Sequence, residues 1–392
     1  MYRLTNGRII TPEKILKGFD LIIAHGDIVD IALTDEIEDK DKMETIDCDG
    51  GFIMPGFIDI HSDYIEHIAA PRPTSMMKFP LALHEAEREL LTHGITTMFH
   101  SLSLYKSQMF DTKPIRQPEN VDKIVSLIHG SHVSKHLIRH RFHARYEIDN
   151  LDMVDQLRRY IEEDKIHLVS FMDHTPGQGQ YRDLEIFRHT LKGYRKMSDA
   201  EVDVAIMEQQ AAEKITLDTI GELTKMALDR GIAVASHDDD TTGKIDLIQS
   251  FGTTISEFPI TMETARYAHE KGMHTVAGAP NVLLGGSHSG NLSAAEAVVD
   301  GSVNILCSDY YPAALLHAVF QLHEEYGLSL VDMVNLVTLN PAKAVNMDET
   351  IGSLERGKKA DILVVERLED QFPAVTNAFV DGKPVLTTTY RR

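Results

Sequence analysis

The chain has 392 residues, 43% of them hydrophobic and 25% charged, with a formal net charge of −21. That length accommodates a barrel domain plus a smaller one, and the acidic balance argues against nucleic-acid or acidic-membrane binding without excluding an anionic small molecule. Only Cys48 and Cys307 occur, no apolar run could span a bilayer, and the N-terminus lacks a basic-then-apolar signal, so a reducing, cytoplasmic setting without disulfides is expected.

In chain order, residues 1–55 read as short β segments at 2–4, 7–10, 21–23 and 28–31, with turns at Asn6-Gly7 and Gly26-Asp27. Residues 346–392 return to that texture, with an apolar stretch at 360–365 and a turn at Asp381-Gly382. Both ends are therefore expected to form one small β-sandwich domain, 1–55 plus 346–392, around an insert at 56–345. In the insert, strand patterns fall at 57–60, 96–99, 138–146, 168–172, 232–236, 253–258, 274–277 and 303–307. Helical patterns lie near 81–93, 152–164 and 216–230, with Gly94 and Gly231 placed as helix stops. Strands alternating with helices in this way predict an α/β fold, a (β/α)8 TIM-type barrel.

Metal-type side chains sit at several strand ends: His61 and Asp63 on the first, Glu147 on the third, His174 on the fourth, His237 on the fifth and Asp309 on the eighth. In a parallel barrel these tips converge on one face. Singly, each has a plain explanation. A lone histidine such as His174 usually belongs to a structural hydrogen bond, and Asp309 could cap a helix entered through Pro312. Jointly, three histidines and three carboxylates suit a pair of borderline divalent ions, zinc by preference, with manganese, iron, nickel or magnesium as alternatives.

If Glu147 faces the barrel axis, period-two alternation puts Arg145, His143, Arg141 and Arg139 on the same face. Such a polar interior needs partners, either a polyanionic ligand or a charge network. Arg139, Arg141 and Arg145 are therefore candidate phosphate contacts. So is the segment Gly285-Gly286-Ser287-His288, whose backbone N–H groups precede a helical pattern near 293–300. Cys307 reads as core rather than nucleophile.

Several blocks carry a family likeness. The entry Met54-Pro55-Gly56-Phe57-Ile58-Asp59-Ile60-His61, the Asn340-Pro341-Ala342-Lys343-Ala344 helix and the return Gly352-Ser353-Leu354-Glu355-Arg356-Gly357 resemble the amidohydrolase superfamily. The blocks His61-Ser62-Asp63, His174-Thr175-Pro176-Gly177-Gln178, Ser236-His237-Asp238-Asp239, Gly285-Gly286-Ser287-His288-Ser289-Gly290-Asn291 and Ser308-Asp309-Tyr310 are similar to a narrower group. That group is the α-D-ribose 1-methylphosphonate 5-triphosphate diphosphatases of the carbon–phosphorus lyase pathway.

The resemblance implies a two-metal barrel in which His61, Asp63 and Asp309 hold one ion, Glu147 bridges, and His174 and His237 hold the other. It implies hydrolysis of a ribosyl triphosphate to the 5-phosphate and pyrophosphate, with Asp309 taking the proton of the attacking water. His61-Ser62-Asp63 stands where common superfamily members carry HxH. His174 and His237 fall one strand earlier than the usual superfamily pattern. The alternatives are a C–N hydrolase (cyclic amidase or deaminase) on the same metals, or a barrel scaffold without catalysis. The expected partner is a phosphorylated small molecule, and a homodimer is the default assembly.

Overall fold

The computed structural model describes residues 1–37, 40–72, 74–104, 114–194, 197–286 and 291–391. Short alternating segments at the N-terminus form β1 (Tyr2–Thr5), β2 (Arg8–Ile10), β3 (Ile15–Lys17), β4 (Phe19–Ala24), β5 (Asp27–Leu33), β6 (Glu44–Asp47) and β7 (Phe52–Pro55). The central strands are β8 (Phe57–Ser62), β9 (Ile95–Leu104), β10 (Arg139–Glu147), β11 (Leu168–Met172), β12 (Ala233–His237), β13 (Ile255–Glu257), β14 (His274–Gly278) and β15 (Ile305–Cys307). The C-terminus adds β16 (Ile362–Arg367), β17 (Pro373–Val380) and β18 (Lys383–Thr387).

The terminal strands make two sheets, ordered β5-β4-β1-β6 and β18-β17-β16-β7-β2-β3. Chain ends meet directly in the second, where Leu363 of β16 pairs antiparallel with Met54 of β7. Leu4, Leu21 and Ile28 of one sheet share a buried cluster with Ile53, Ile362 and Phe379 of the other. Apolar inner faces packed this way are what hold a sandwich together.

The central strands lie in sequence order from β8 to β15, parallel throughout. The first and last strands meet at their C-terminal ends. Asp309 N–H donates to His61 O at 3.0 Å, and Asp63 N–H donates to Asp309 O at 3.0 Å. Inside lie branched and small side chains, among them Ile58, Ile60, Leu168, Ala235, Ile255 and Ile305. A second cluster, including Met98, Phe142, Ala144 and Tyr146, faces the surrounding helices. Gly56, in the turn into β8, is required by close packing, since a Cβ there would sit 2.2 Å from Thr96 Oγ1.

Expected helices appear as Phe79–Thr92, Val154–Glu162 and Leu217–Leu228. The sixth strand is shorter than its sequence pattern, because Phe258 turns into the left-handed region at φ 54° and ends the extended run. One excursion was not anticipated. Between β11 and the helix Leu217–Leu228, two further helices, Leu184–Tyr194 and Asp199–Gln210, form a hairpin. They share a small core of Tyr181, Phe187, Leu191, Val202 and Ile206. Ser198 and Glu201 start the second one with a reciprocal capping box. Gln209 and Gln210 tie it to the barrel mouth through Asp149 Oδ2 and Pro176 O, each at 3.0 Å. Among the described residues, no helix is long and apolar enough to cross a membrane.

Candidate active site

The C-terminal ends of the barrel strands open on a cavity of about 550 Å³ walled by His61, Asp63, Arg145, His237, Asp238 and Asp309. Glu147 and His174 lie beside it and touch each other through Oε1 and Nδ1. The other ring nitrogen of His174 is 3.5 Å from Asp238 Oδ2, which is 3.1 Å from His237 Nδ1. Arg145 Nη2 approaches His237 Nε2 at 3.2 Å. Charged and imidazole groups thus run without a break from Glu147 across the mouth to Arg145.

On the opposite wall, the His61 ring lies 5.3 Å from that of His237 and 5.0 Å from that of His143. His61 Nδ1 is 3.1 Å from Oε1 of Glu257, a fully buried carboxylate at the tip of β13. Ser170 donates to the other Glu257 oxygen at 2.8 Å. Burial pulls His143 down to about 3, so this ring is neutral.

Asp309 joins the two halves. Its backbone is bonded to both His61 and Asp63, as the barrel seam requires. Burial, and then the charge of Asp63, push its carboxyl up to about 7 against the opposing pull of Arg145. Asp238 and Asp309 both adopt positive φ, 52° and 56°. Non-glycine residues held there cost of order 1–3 kcal/mol, and strain of this kind clusters at functional sites. The tip of β12 is held rigidly as well. Asp239 accepts from Ser236 and Ser256 at 2.5 and 2.6 Å, and Lys244 Nζ donates to His237 O at 2.8 Å.

The donor set fits divalent cations. His61 Nδ1, Asp63 Oδ1, His237 Nδ1, Asp238 Oδ2 and Glu257 Oε1 are buried polar atoms that make no hydrogen bond, although several lie within ion-pair distance of one another. Buried polar atoms normally find partners, and imidazole with carboxylate is the chemistry that suits borderline metals. Two groups could each surround an ion, His61 with His143 and Glu257, and His174 with His237 and Asp238.

Every metal-type residue singled out in the sequence reaches this mouth, but the arginines divide. Arg145 lines the cavity, whereas Arg139 stands at the opposite end of β10, ion-paired with Asp361 and Asp381 of the terminal sheets. Arg141 bonds His132 Nε2 at 2.8 Å and the His140 carbonyl at 3.0 Å, also away from the cavity. Arg139 therefore belongs to a charge network, the other solution open to a polar strand, while Arg141 is held by an imidazole and a carbonyl. Gly286 lines the cavity, and Gly285 caps the helix Ala279–Leu284 at φ 73°. Ser287 and His288 lie outside the described residues. Cys307 is fully buried inside the barrel, its thiol raised by burial, in keeping with a core role.

Sequence reasoning missed Glu257 and Asp238. Glu257 ends a strand as the singled-out residues do, which was the available signal. Asp238 follows His237 directly in a run of three aspartates.

The sequence matches the NagA composite domain over residues 1–53 and the Amidohydrolase family over residues 52–388. It is 30% identical over 387 residues to an alpha-D-ribose 1-methylphosphonate 5-triphosphate diphosphatase of Escherichia coli K12, covering 97% of this chain and 99% of that protein. An N-acetylglucosamine-6-phosphate deacetylase of Rattus norvegicus is 23% identical over 383 residues, covering 93% and 91%. Among solved structures, the same-named deacetylase of Pasteurella multocida aligns with a TM-score of 0.66 at 13% identity, over 98% of this chain and 99% of that one. A dihydropyrimidinase of Brevibacillus agri aligns with a TM-score of 0.67 at 14% identity, over 98% and 95%. These last two likenesses speak for the fold alone. With its closed parallel barrel, its sheets built from both termini and a family match across residues 52–388, the chain belongs to the amidohydrolase family, which supports a hydrolase role.

Proposed function

We propose that this hydrolase cleaves α-D-ribose 1-methylphosphonate 5-triphosphate to the 5-phosphate and pyrophosphate, as a metal-dependent diphosphatase of phosphonate catabolism in the cytoplasm. The observation that carries this reading is the end-to-end likeness to a diphosphatase, 97% of this chain against 99% of the relative. The cavity agrees with it, since a guanidinium, Arg145, stands among ligand-type side chains. A phosphoanhydride needs such a cation in addition to metal, whereas a neutral cyclic amide does not.

His61, Asp63 and Asp309 would hold one divalent ion, zinc by preference, and His174 and His237 a second, with Glu147 between them. Bound there, the ions supply Lewis acidity and lower the pKa of water. Arg145 binds and orients the phosphates at the cavity wall, a role the Gly285 and Gly286 N–H groups do not share because they donate to Val282 O and Asn281 O. Asp309 takes the proton of the attacking water at its carboxylate. The barrel seam, which bonds its backbone to His61 and Asp63, keeps that carboxylate in register.

The test is metal analysis of purified protein together with pyrophosphate release from ribosyl and nucleoside triphosphates. Release of pyrophosphate from the ribosyl substrate supports the reading. Ammonia release or ring opening on cyclic amides, with triphosphates untouched, would replace it by C–N hydrolysis.

A further inference from the structure

A second gathering of histidines lies outside the barrel wall, between the helix Phe79–Thr92 and strands β9 and β10. His84 and Glu87 are neighbours on one helix face at i, i+3 spacing. His136 comes from the segment leading into β10. His84 Nδ1 is 2.8 Å from Glu87 Oε1, and His136 Nδ1 is 3.0 Å from Glu87 Oε2. The two imidazoles lie face to face, centroids 4.7 Å apart and planes 9° from parallel, both aiming Nδ1 at one carboxylate. Glu87 and His136 are largely buried, but the His84 side chain is 54% exposed, which leaves solvent a route in.

Behind the carboxylate is a supporting layer. Leu137 N–H donates to Glu87 Oε2 at 2.9 Å, and His140 Nε2 reaches the same oxygen at 3.1 Å. His100 Nε2 lies 2.8 Å from His140 Nδ1. If His100 donates from Nε2 and His140 from Nε2, both rings are neutral and the chain of donors ends on Glu87. Carboxylate ligands in metal sites are oriented by outer hydrogen bonds of this kind.

We propose that His84, Glu87 and His136 form a peripheral site for a divalent transition cation of the zinc class, with the remaining coordination positions open to water. Donor atoms from all three residues lie within 4.8 Å of one another. Two imidazole nitrogens and a carboxylate oxygen are a common zinc donor set. The ion seats as the exposed His84 ring tilts out of the stack, bringing its Nδ1 lone pair into line. This site is separate from the mouth and does not rest on the diphosphatase reading.

The experiment compares zinc content per chain of the intact protein and of the His84→Ala/His136→Ala variant. Both are equilibrated with zinc, gel-filtered and analysed for metal, so the mouth ions cancel in the difference. The expected result is one zinc fewer in the double variant, with unchanged hydrolytic turnover. His84→Ala alone, at a half-exposed side chain, should lose the extra zinc on gel filtration as the double variant does. Equal zinc content in all three proteins would overturn the site, and so would a loss that appears only together with lost turnover, because that loss would come from the mouth.

Discussion

At the mouth end of β10, Arg145 lies 3.2 Å from His237 in a cavity walled by Asp63, Asp238 and Asp309. At the other end, Arg139 is gripped by Asp361 and Asp381, and the second guanidinium nitrogen holds Asp361 Oδ1 at 3.1 Å. Six residues along a strand is roughly 20 Å, so the two guanidiniums serve different bodies of the molecule. One faces the place where substrate would sit; the other locks the barrel to the sheets made from the chain ends. Alternation alone put both on the same face. Height along the barrel axis separates the arginine that lines the cavity from the architectural one.

The comparison breaks most sharply at the mouth. Asp309→Asn should lower turnover by about 10³-fold with metal content retained, read by pyrophosphate release and metal analysis on the same sample. Turnover within a factor of a few of wild type would remove the carboxylate from the chemistry. At the foot, Arg139→Met leaves Asp361 buried without its cation, and breaking a buried pair costs about 3–5 kcal/mol. Urea unfolding should show that loss while kcat per folded molecule stays at the wild-type value.

Between these extremes, Arg145→Met should cut kcat/KM for the triphosphate by about 10- to 100-fold, roughly 1.4–2.8 kcal/mol. Arg141→Met, four residues earlier on the strand, should change it by less than about twofold. Similar losses from both would mean that height along the strand does not divide the two roles.

Glu87 carries an effect that depends on pH. Burial alone would raise its pKa, but hydrogen bonds from His140, His84 and the Leu137 N–H outweigh burial and bring it down to about 2. An unfolded glutamate titrates near 4.3. The folded pKa is depressed, so this carboxylate contributes stability above about pH 4.3 and loses it as pH falls toward 2. Thermal melts of the wild type and Glu87→Gln should therefore differ most above pH 5 and converge only as pH falls toward 2. A gap independent of pH would assign the effect to packing.

Much of the barrel was legible because its signals are local. The run into His61, the glycine stops at Gly94 and Gly231, and the apolar stretch 168–172 each declare a strand or helix edge within a few residues. The ligand-type residues were legible for the same reason, since each stands at a strand end, with His61 and Asp63 sharing the first. The hairpin of helices after β11 was passed over although Ser198 and Glu201 mark its second start, because its small core is spread over Tyr181 to Ile206. Glu257 was passed over because a single acidic residue in a short strand looks like any other until His61 is seen 3.1 Å away.

The sequence by itself therefore determined the alternation of strands and helices, the pairing of the two chain ends in one β unit, and the residue types delivered to the barrel mouth. Those follow from turn residues, caps and periodicities that act over a few bonds. Tertiary structure alone decided which arginine meets the cavity, which buried atoms of His61, His237, Asp238 and Glu257 are left without hydrogen bonds, and that Asp309 closes the seam onto His61 and Asp63. These depend on how the sheet curls and staggers as it closes, a property of all its strands together that no local stretch of chain encodes.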